Sequence, residues 1–464
     1  MWRHSASTFF VQYLAVSEIV RIFAPNMNHK YATLCLMAGL SLATMAQTSR
    51  TELRAHLDLA SGNYCNYPNP SGHVTPAPPG YEPFYVTHYG RHGARYMTGN
   101  KEYKYTIAKM DTARSLGLLT PYGEDVLRRL NLAAADAKNR EGDLTPLGGR
   151  QHRGIAHRLC VNYPQLMQQP IRVHANSSTV RRCILSMANF CQELIIMNPT
   201  LKISMDASEH DMYYIIANDS IEIPKSERDG ALYEKLDSFR HEMLNGRSQF
   251  ARLFTDTTRV SGFIDHYKFT DALWNIRADM DCLPELGLSF SDLFTDDEYI
   301  DGFRAYNASW CLWEGLMPGA QPNYYAHYPL LINILDEADL AIRSGEPSVR
   351  LRFGHDSTVL PFAFILGLKE AIQGTDNMDD LHNHFALFRL IPMAGNIQLI
   401  FFREQGSDDI LVKFLMNENE TSIPIATDQY PFYHWSNVSR YYRNMLKQAN
   451  ITYKTVIEKN DDDD

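Results

Sequence analysis

Pro83-Phe84-Tyr85-Val86-Thr87-His88-Tyr89-Gly90-Arg91-His92-Gly93-Ala94-Arg95-Tyr96 decides how the rest of the chain is read. Its first half is dense in aromatic and β-branched residues and stops at Gly90, the pattern of a buried strand that breaks into a glycine-bracketed loop. A loop at the carboxyl end of a strand is where α/β proteins bind ligands. Here two arginines flank a histidine. Guanidinium forks match the oxygens of a phosphate, and a neutral imidazole between them can attack phosphorus once those oxygens are neutralised. Positive neighbours also disfavour the imidazolium form. Reading His88 and His92 as a metal pair at spacing four fails, because Gly90 and the extended context spoil the helical geometry and no Glu follows His88.

A second strand-like run, 349–353, ends in Arg352-Phe353-Gly354-His355-Asp356-Ser357-Thr358, so His355 and Asp356 are expected at the same sheet edge as His92. An adjacent histidine and acid suit a donor to a phosphate oxygen and a proton donor to a leaving alcohol. Further strands are predicted over 171–175, 202–205, 397–402 and 410–415, and helices over 122–139, 146–161, 178–197, 231–255 and 328–344. Strands separated by helices predict an α/β class: a mostly parallel sheet flanked by helices, with roughly 208–340 as a mainly α-helical insertion.

The chain has 464 residues, 45% hydrophobic and 21% charged, which excludes a mostly disordered or fibrous protein. A net charge of −10 argues against a nucleic-acid partner, so any anionic ligand must be caught by a local basic cluster. Met27 to Lys30, then an apolar run to Leu42, then small residues to Ala46 have the layout of an export signal cut before Gln47, with Met27 as the true start. The rival is one long signal from Met1. The apolar run is too short for a transmembrane anchor. The remaining cysteines, Cys65, Cys160, Cys183, Cys191, Cys282 and Cys311, permit disulfides or buried free thiols, but show no CxxC spacing for a zinc site.

The chain resembles the acid phosphatase and phytase branch of the histidine phosphatase superfamily. Arg91-His92-Gly93-Ala94-Arg95 matches its RHGxR motif, His355-Asp356 its distal HD pair, and Gly142-Asp143-Leu144-Thr145-Pro146-Leu147-Gly148 its GxLTxxG segment. The resemblance implies a two-step mechanism without metal or cofactor. His92 takes the phosphoryl group as a phosphohistidine, Asp356 protonates the departing alcohol, and water releases phosphate. Arg91, Arg95, His355 and a third arginine bind the phosphate. That arginine is read as Arg182, with Arg181 the rival.

The chain is thus divided into a targeting segment (1–46), an α/β phosphatase domain from 47–207 and 341–430, an α-helical insertion at 208–340, which the resemblance implies covers the site, and a C-terminal helix and acidic tail at 431–464. Arg95-Tyr96 and Cys183 are similar to the multiple inositol polyphosphate phosphatase group, which carries HAE where this chain has HD. The expected substrate is a small phosphomonoester, an inositol polyphosphate such as phytate. A broad-specificity or sugar-phosphate phosphatase, a non-catalytic phosphate-binding relative, and a phosphoglycerate-mutase-like transferase stay open. Lys101 and Lys104 are candidates for further phosphates, and the protein is expected to be exported, periplasmic or secreted.

Overall fold

The computed structural model describes residues 50–70, 72–371 and 375–451. The 1–46 segment and the acidic tail beyond 451 therefore lie outside the described residues.

An eight-stranded sheet is built from β1 (Tyr81–Arg91), β2 (Arg172–Ser177), β3 (Lys202–Asp206), β4 (Ser348–Gly354), β5 (Asn396–Glu404), β6 (Ile410–Met416), β7 (Asn419–Glu420) and β8 (Phe432–His434). The order is β3-β2-β4-β1-β5-β6-β7, with β8 also on β6. The α/β class stands, but the sheet is mixed: β3, β2, β4 and β1 run parallel, and β1-β5, β5-β6, β6-β7 and β6-β8 pair antiparallel. The 405–409 connection accounts for the antiparallel β5-β6 pair, because a parallel pair needs a crossover of a dozen residues or more.

The α-helices of seven residues or more are α1 (Lys101–Ser115), α2 (Pro121–Ala137), α3 (Pro146–Asn162), α4 (Arg181–Met197), α5 (Asp229–Met243), α6 (Arg247–Leu253), α7 (His266–Asp279), α8 (Asp296–Trp313), α9 (Tyr328–Ser344), α10 (Asp356–Ile365) and α11 (Trp435–Gln448). Their starts follow local chemistry. Thr120 and Thr145 cap α2 and α3 through Gly123 N–H and Gly148 N–H, each with Pro at the first helical position. Such a cap contributes about 1 kcal/mol. The single helix expected over 231–255 is two helices, because Gly246 takes a left-handed φ of 73° and a Cβ there would lie 2.3 Å from Thr270 Oγ1.

Side chains of β1 alternate across the sheet. Tyr85 and Tyr89 join a core with Leu331 and Leu335 of α9 and Leu360 of α10, whereas Val86 joins Ile155 and Leu159 of α3 and Phe190 of α4. A third core packs α1 and α2 with α7 and α8, through Met110, Leu130, Phe269, Trp274 and Phe303. Among the described residues no helix is long and apolar enough to cross a membrane. Cys65, Cys160, Cys183, Cys191, Cys282 and Cys311 are all buried free thiols, so the disulfide alternative is not realised.

Candidate active site

The register of three parallel strands assembles the site. Arg91 of β1 pairs with Gly354 of β4, and Phe353 with Ser177 of β2, so all three strands end together. His92 N–H then donates to Gly354 C=O at 2.9 Å, and Ser178 N–H to Phe353 C=O at 2.9 Å. His92, His355 and the start of α4 therefore leave the sheet side by side. The rings of His92 and His355 lie 5.8 Å apart, centroid to centroid. All six residues picked from sequence, Arg91, His92, Arg95, Arg182, His355 and Asp356, meet at this edge.

His92 is buried, and its Nδ1 lies 2.9 Å from Gly93 C=O. A carbonyl only accepts, so Nδ1 carries the proton and Nε2 is left with its lone pair. Burial holds the imidazole well below its ordinary pKa, and Arg91, Arg182, Arg95 and His355 push the same way. His355, lowered to about 4 by burial and by Arg182, sits 3.4 Å from Arg182 Nη2 through Nδ1 and 3.1 Å from Ser178 Oγ through Nε2. The structure separates the two adjacent arginines. Arg181 is exposed and paired with Asp143 at 3.1 Å, while Arg182 is partly buried against His355.

Arg91 is fully buried and its Nη2 holds Asp356 Oδ2 at 2.7 Å. Asp356 opens α10, where its Oδ1 accepts from Ser357 N–H at 3.0 Å. Burial pushes the Asp356 carboxyl up, but Arg91, Arg95 and His355 outweigh it and hold it below the ordinary carboxylate value. Without ligand, Asp356 is therefore ionised. Arg95 lies under the Tyr64 ring at 5.3 Å and 4.0 Å from Asp279, a carboxylate 1% exposed that burial raises to about 7 against the pull of Arg95.

The 142–148 segment cradles the histidine loop. Thr145 N–H and Oγ1 both donate to Ala94 C=O, at 2.9 and 3.1 Å, and Ala94 N–H reaches Gln151 of α3 at 2.8 Å. A Cβ on Gly148 would lie 2.3 Å from Ala94 C=O, so only glycine allows this approach. Gly148→Ala is expected to cost about 1–3 kcal/mol in denaturant unfolding and to lower kcat through the displaced loop. An unchanged melt with unchanged kcat would show that the cradle is not needed.

His88 is a core histidine. It is buried against Phe190 and Phe353 and lowered to about 3 by burial, with His152 and Arg352 adding to it. Lys101 and Lys104 are exposed on the first turn of α1. Sequence reasoning missed Asn63, Tyr64, Ser178 and Asp279. Asn63, Tyr64 and Asp279 arrive by tertiary packing from segments without a motif of their own, whereas Ser178 opens the 178–183 stretch that also holds Arg182.

Comparison with known proteins follows the same lines. The family model described as histidine phosphatase superfamily (branch 2) matches residues 89–417. Multiple inositol polyphosphate phosphatase 1 of Gallus gallus is 21% identical over 333 residues, covering 66% of this chain and 70% of that protein. The fold is similar to that of Bifidobacterium longum multiple inositol polyphosphate phosphatase in complex with inositol hexasulfate, with a TM-score of 0.68 at 18% identity over 81% of this chain and 96% of that one. It is also similar to the phytase from D. castellii, with a TM-score of 0.61 at 15% identity over 84% and 85% of the two chains.

Proposed function

Because the chain belongs to branch 2 of the histidine phosphatase superfamily, we propose that it is a metal-independent phosphomonoester hydrolase working through a phosphohistidine on His92. The observation that carries this reading is the His92 ring itself. Its Nδ1 is tied to Gly93 C=O, which leaves Nε2 its lone pair, and burial with Arg91, Arg182 and Arg95 disfavours a second proton on the ring. Nε2 attacks phosphorus as the ester P–O bond breaks, and Asp356 gives its proton to the leaving oxygen. Water then attacks the same phosphorus, the N–P bond breaks, and the water proton goes to Asp356. Arg91, Arg95, Arg182 and His355 hold the non-bridging oxygens where charge develops. Bound phosphate must supply the negative charge that lets Asp356, ionised in the free site, take up its proton.

Inositol polyphosphates such as phytate are the proposed substrates, supported by the names of the similar proteins. A sugar-phosphate or broad-specificity monoesterase is the second reading. Phosphate release from phytate, glucose 1-phosphate and a bisphosphoglycerate decides between them. Phytate is expected to be fastest. No release from any of the three would indicate a non-catalytic binder, and phosphate passed to a second substrate would indicate a transferase.

Arg182→Ala is expected to lower kcat/KM about a hundredfold, some 3 kcal/mol of transition-state stabilisation, while exposed Arg181→Ala changes it less than about threefold. Equal losses would return the third phosphate contact to Arg181. Export is proposed from the 27–46 layout, and N-terminal sequencing of the natural protein should begin at Gln47. Protein recovered from the cytosol with residues 1–46 attached would refute it.

A further inference from the structure

Leu57–Tyr64 forms a 3-10 segment whose end is fixed from outside the catalytic edge. Ser61 Oγ bonds the Tyr299 hydroxyl at 2.7 Å and donates to Asp281, and Cys65 C=O accepts from Met393 N–H at 2.8 Å. Between these anchors Asn63 is 1% exposed. Its main-chain carbonyl accepts from Arg91 Nη1 at 2.5 Å, and its Nδ2 donates to Asp356 Oδ2 at 2.8 Å. The amide orientation follows from the carboxylate, which in its ionised form only accepts. The other amide atom, Oδ1, is buried without a hydrogen-bond partner among the described residues. An orphaned buried acceptor is unfavourable, so this side chain is not placed to satisfy itself.

We propose that Asn63 is a positioning residue for the proton donor, holding the Asp356 carboxyl toward the leaving group through Nδ2. The inference rests on Asp356 being the general acid. In the free site Asp356 Oδ2 has an ion pair with Arg91 Nη2 and a hydrogen bond from Asn63 Nδ2. When a phosphoryl group binds, the Arg91 fork is also drawn to its oxygens. Asn63 remains, and it differs from Arg91 in a way that suits the task. A cation beside a carboxyl keeps the proton off, whereas a neutral amide orients the group with a much weaker bias toward ionisation. The main-chain contact from Asn63 to Arg91 sets the spacing between the acid and the phosphate-binding guanidinium from the same anchored residue.

The experiment uses the full chain and two substrates, glucose 1-phosphate with its poor alkoxide leaving group and nitrophenyl phosphate with a good one. Asn63→Leu keeps the approximate volume and removes the donor. It is expected to slow kcat on glucose 1-phosphate at least tenfold and on nitrophenyl phosphate less than about threefold, with KM for nitrophenyl phosphate unchanged. In the double variant with Asp356→Asn, the loss should be no larger than that of Asp356→Asn alone, because a residue acting through another adds nothing once that one is gone. Equal loss on both substrates, or additive losses in the double variant, would overturn the proposal. The Asp356→Asn variant alone judges the acid assignment, so the two failures are distinguishable. Should Asn63→Leu melt early, Asn63→Ala, which removes the donor without adding bulk or charge, is expected to give the same split.

Discussion

His92→Ala is expected to remove turnover on every phosphomonoester, by a factor on the order of 10⁴ or more, while the protein stays folded. Without the imidazole no group at the edge can form the covalent intermediate, and the remaining guanidiniums stabilise charge only on a reaction that has lost its nucleophile. The cost to the fold is expected within the ordinary range for a buried truncation, about 0.5–3 kcal/mol, because among the described residues the ring's only hydrogen bond is to its neighbour Gly93. Two measurements check this. Acid-labile phosphoprotein trapped by rapid quench should be present in the wild type and absent in the variant, and thermal unfolding should remain cooperative. Substantial turnover by a cleanly folded His92→Ala protein would remove the phosphohistidine from the mechanism.

Asp356→Asn is expected to separate substrates by leaving group. An alkoxide departing from an inositol or sugar needs a proton, and a nitrophenolate hardly does. The variant should therefore lose about 10²–10⁴-fold on the former and far less on the latter. The pH profile sharpens this. Because Arg91 and Arg95 outweigh burial and hold the free carboxyl below its ordinary value, the protonated acid must be created in the complex. The alkaline limb of kcat on alcohol substrates should therefore reflect the raised pKa of the bound state, and that limb should vanish in the variant. Wild type and variant are to be compared on both substrates from acid to neutral pH. Equal losses on both leaving groups would leave Asp356 as no more than a partner of Arg91 and His355.

Much of the site was readable in the sequence because its residues sit where strands end. A strand followed by glycine and charge marks a sheet edge without any knowledge of the fold, and both Tyr89–Arg95 and Arg352–Asp356 carry that mark. Arg182 is preferred to Arg181 because the helical stretch from Cys183 through Ser186 and Phe190 keeps the spacing of the similar family, and in the structure Arg182 turns inward to His355 while Arg181 pairs outward with Asp143. Strand direction is harder, since a buried strand has the same composition whichever way it runs. The information lay in the short 405–409 link instead.

Helices buried on all sides lose their period, as in α10, where Val359, Leu360, Pro361, Phe362 and Ala363 are all buried. The α8 helix is absent from the sequence reading, although in the structure Thr295 and Glu298 form a capping box at its start. Asn63 is absent from it too. Its role comes from contacts across 28 and 293 positions of chain, and no local pattern encodes those.

Pairing of Arg91 with Gly354 also governs when activity can first exist. The two residues lie 263 positions apart, so His92 and Asp356, the proposed nucleophile and acid, meet only after β4 has docked on β1. Contacts this distant close late and slowly, because the chain between them must be ordered before they form. A nascent or truncated chain ending before Gly354 holds His92 and its flanking arginines but has neither proton donor nor complete phosphate clamp. Catalytic competence is therefore expected only of the finished molecule, and recovery of turnover during refolding should report long-range strand pairing rather than the growth of helix.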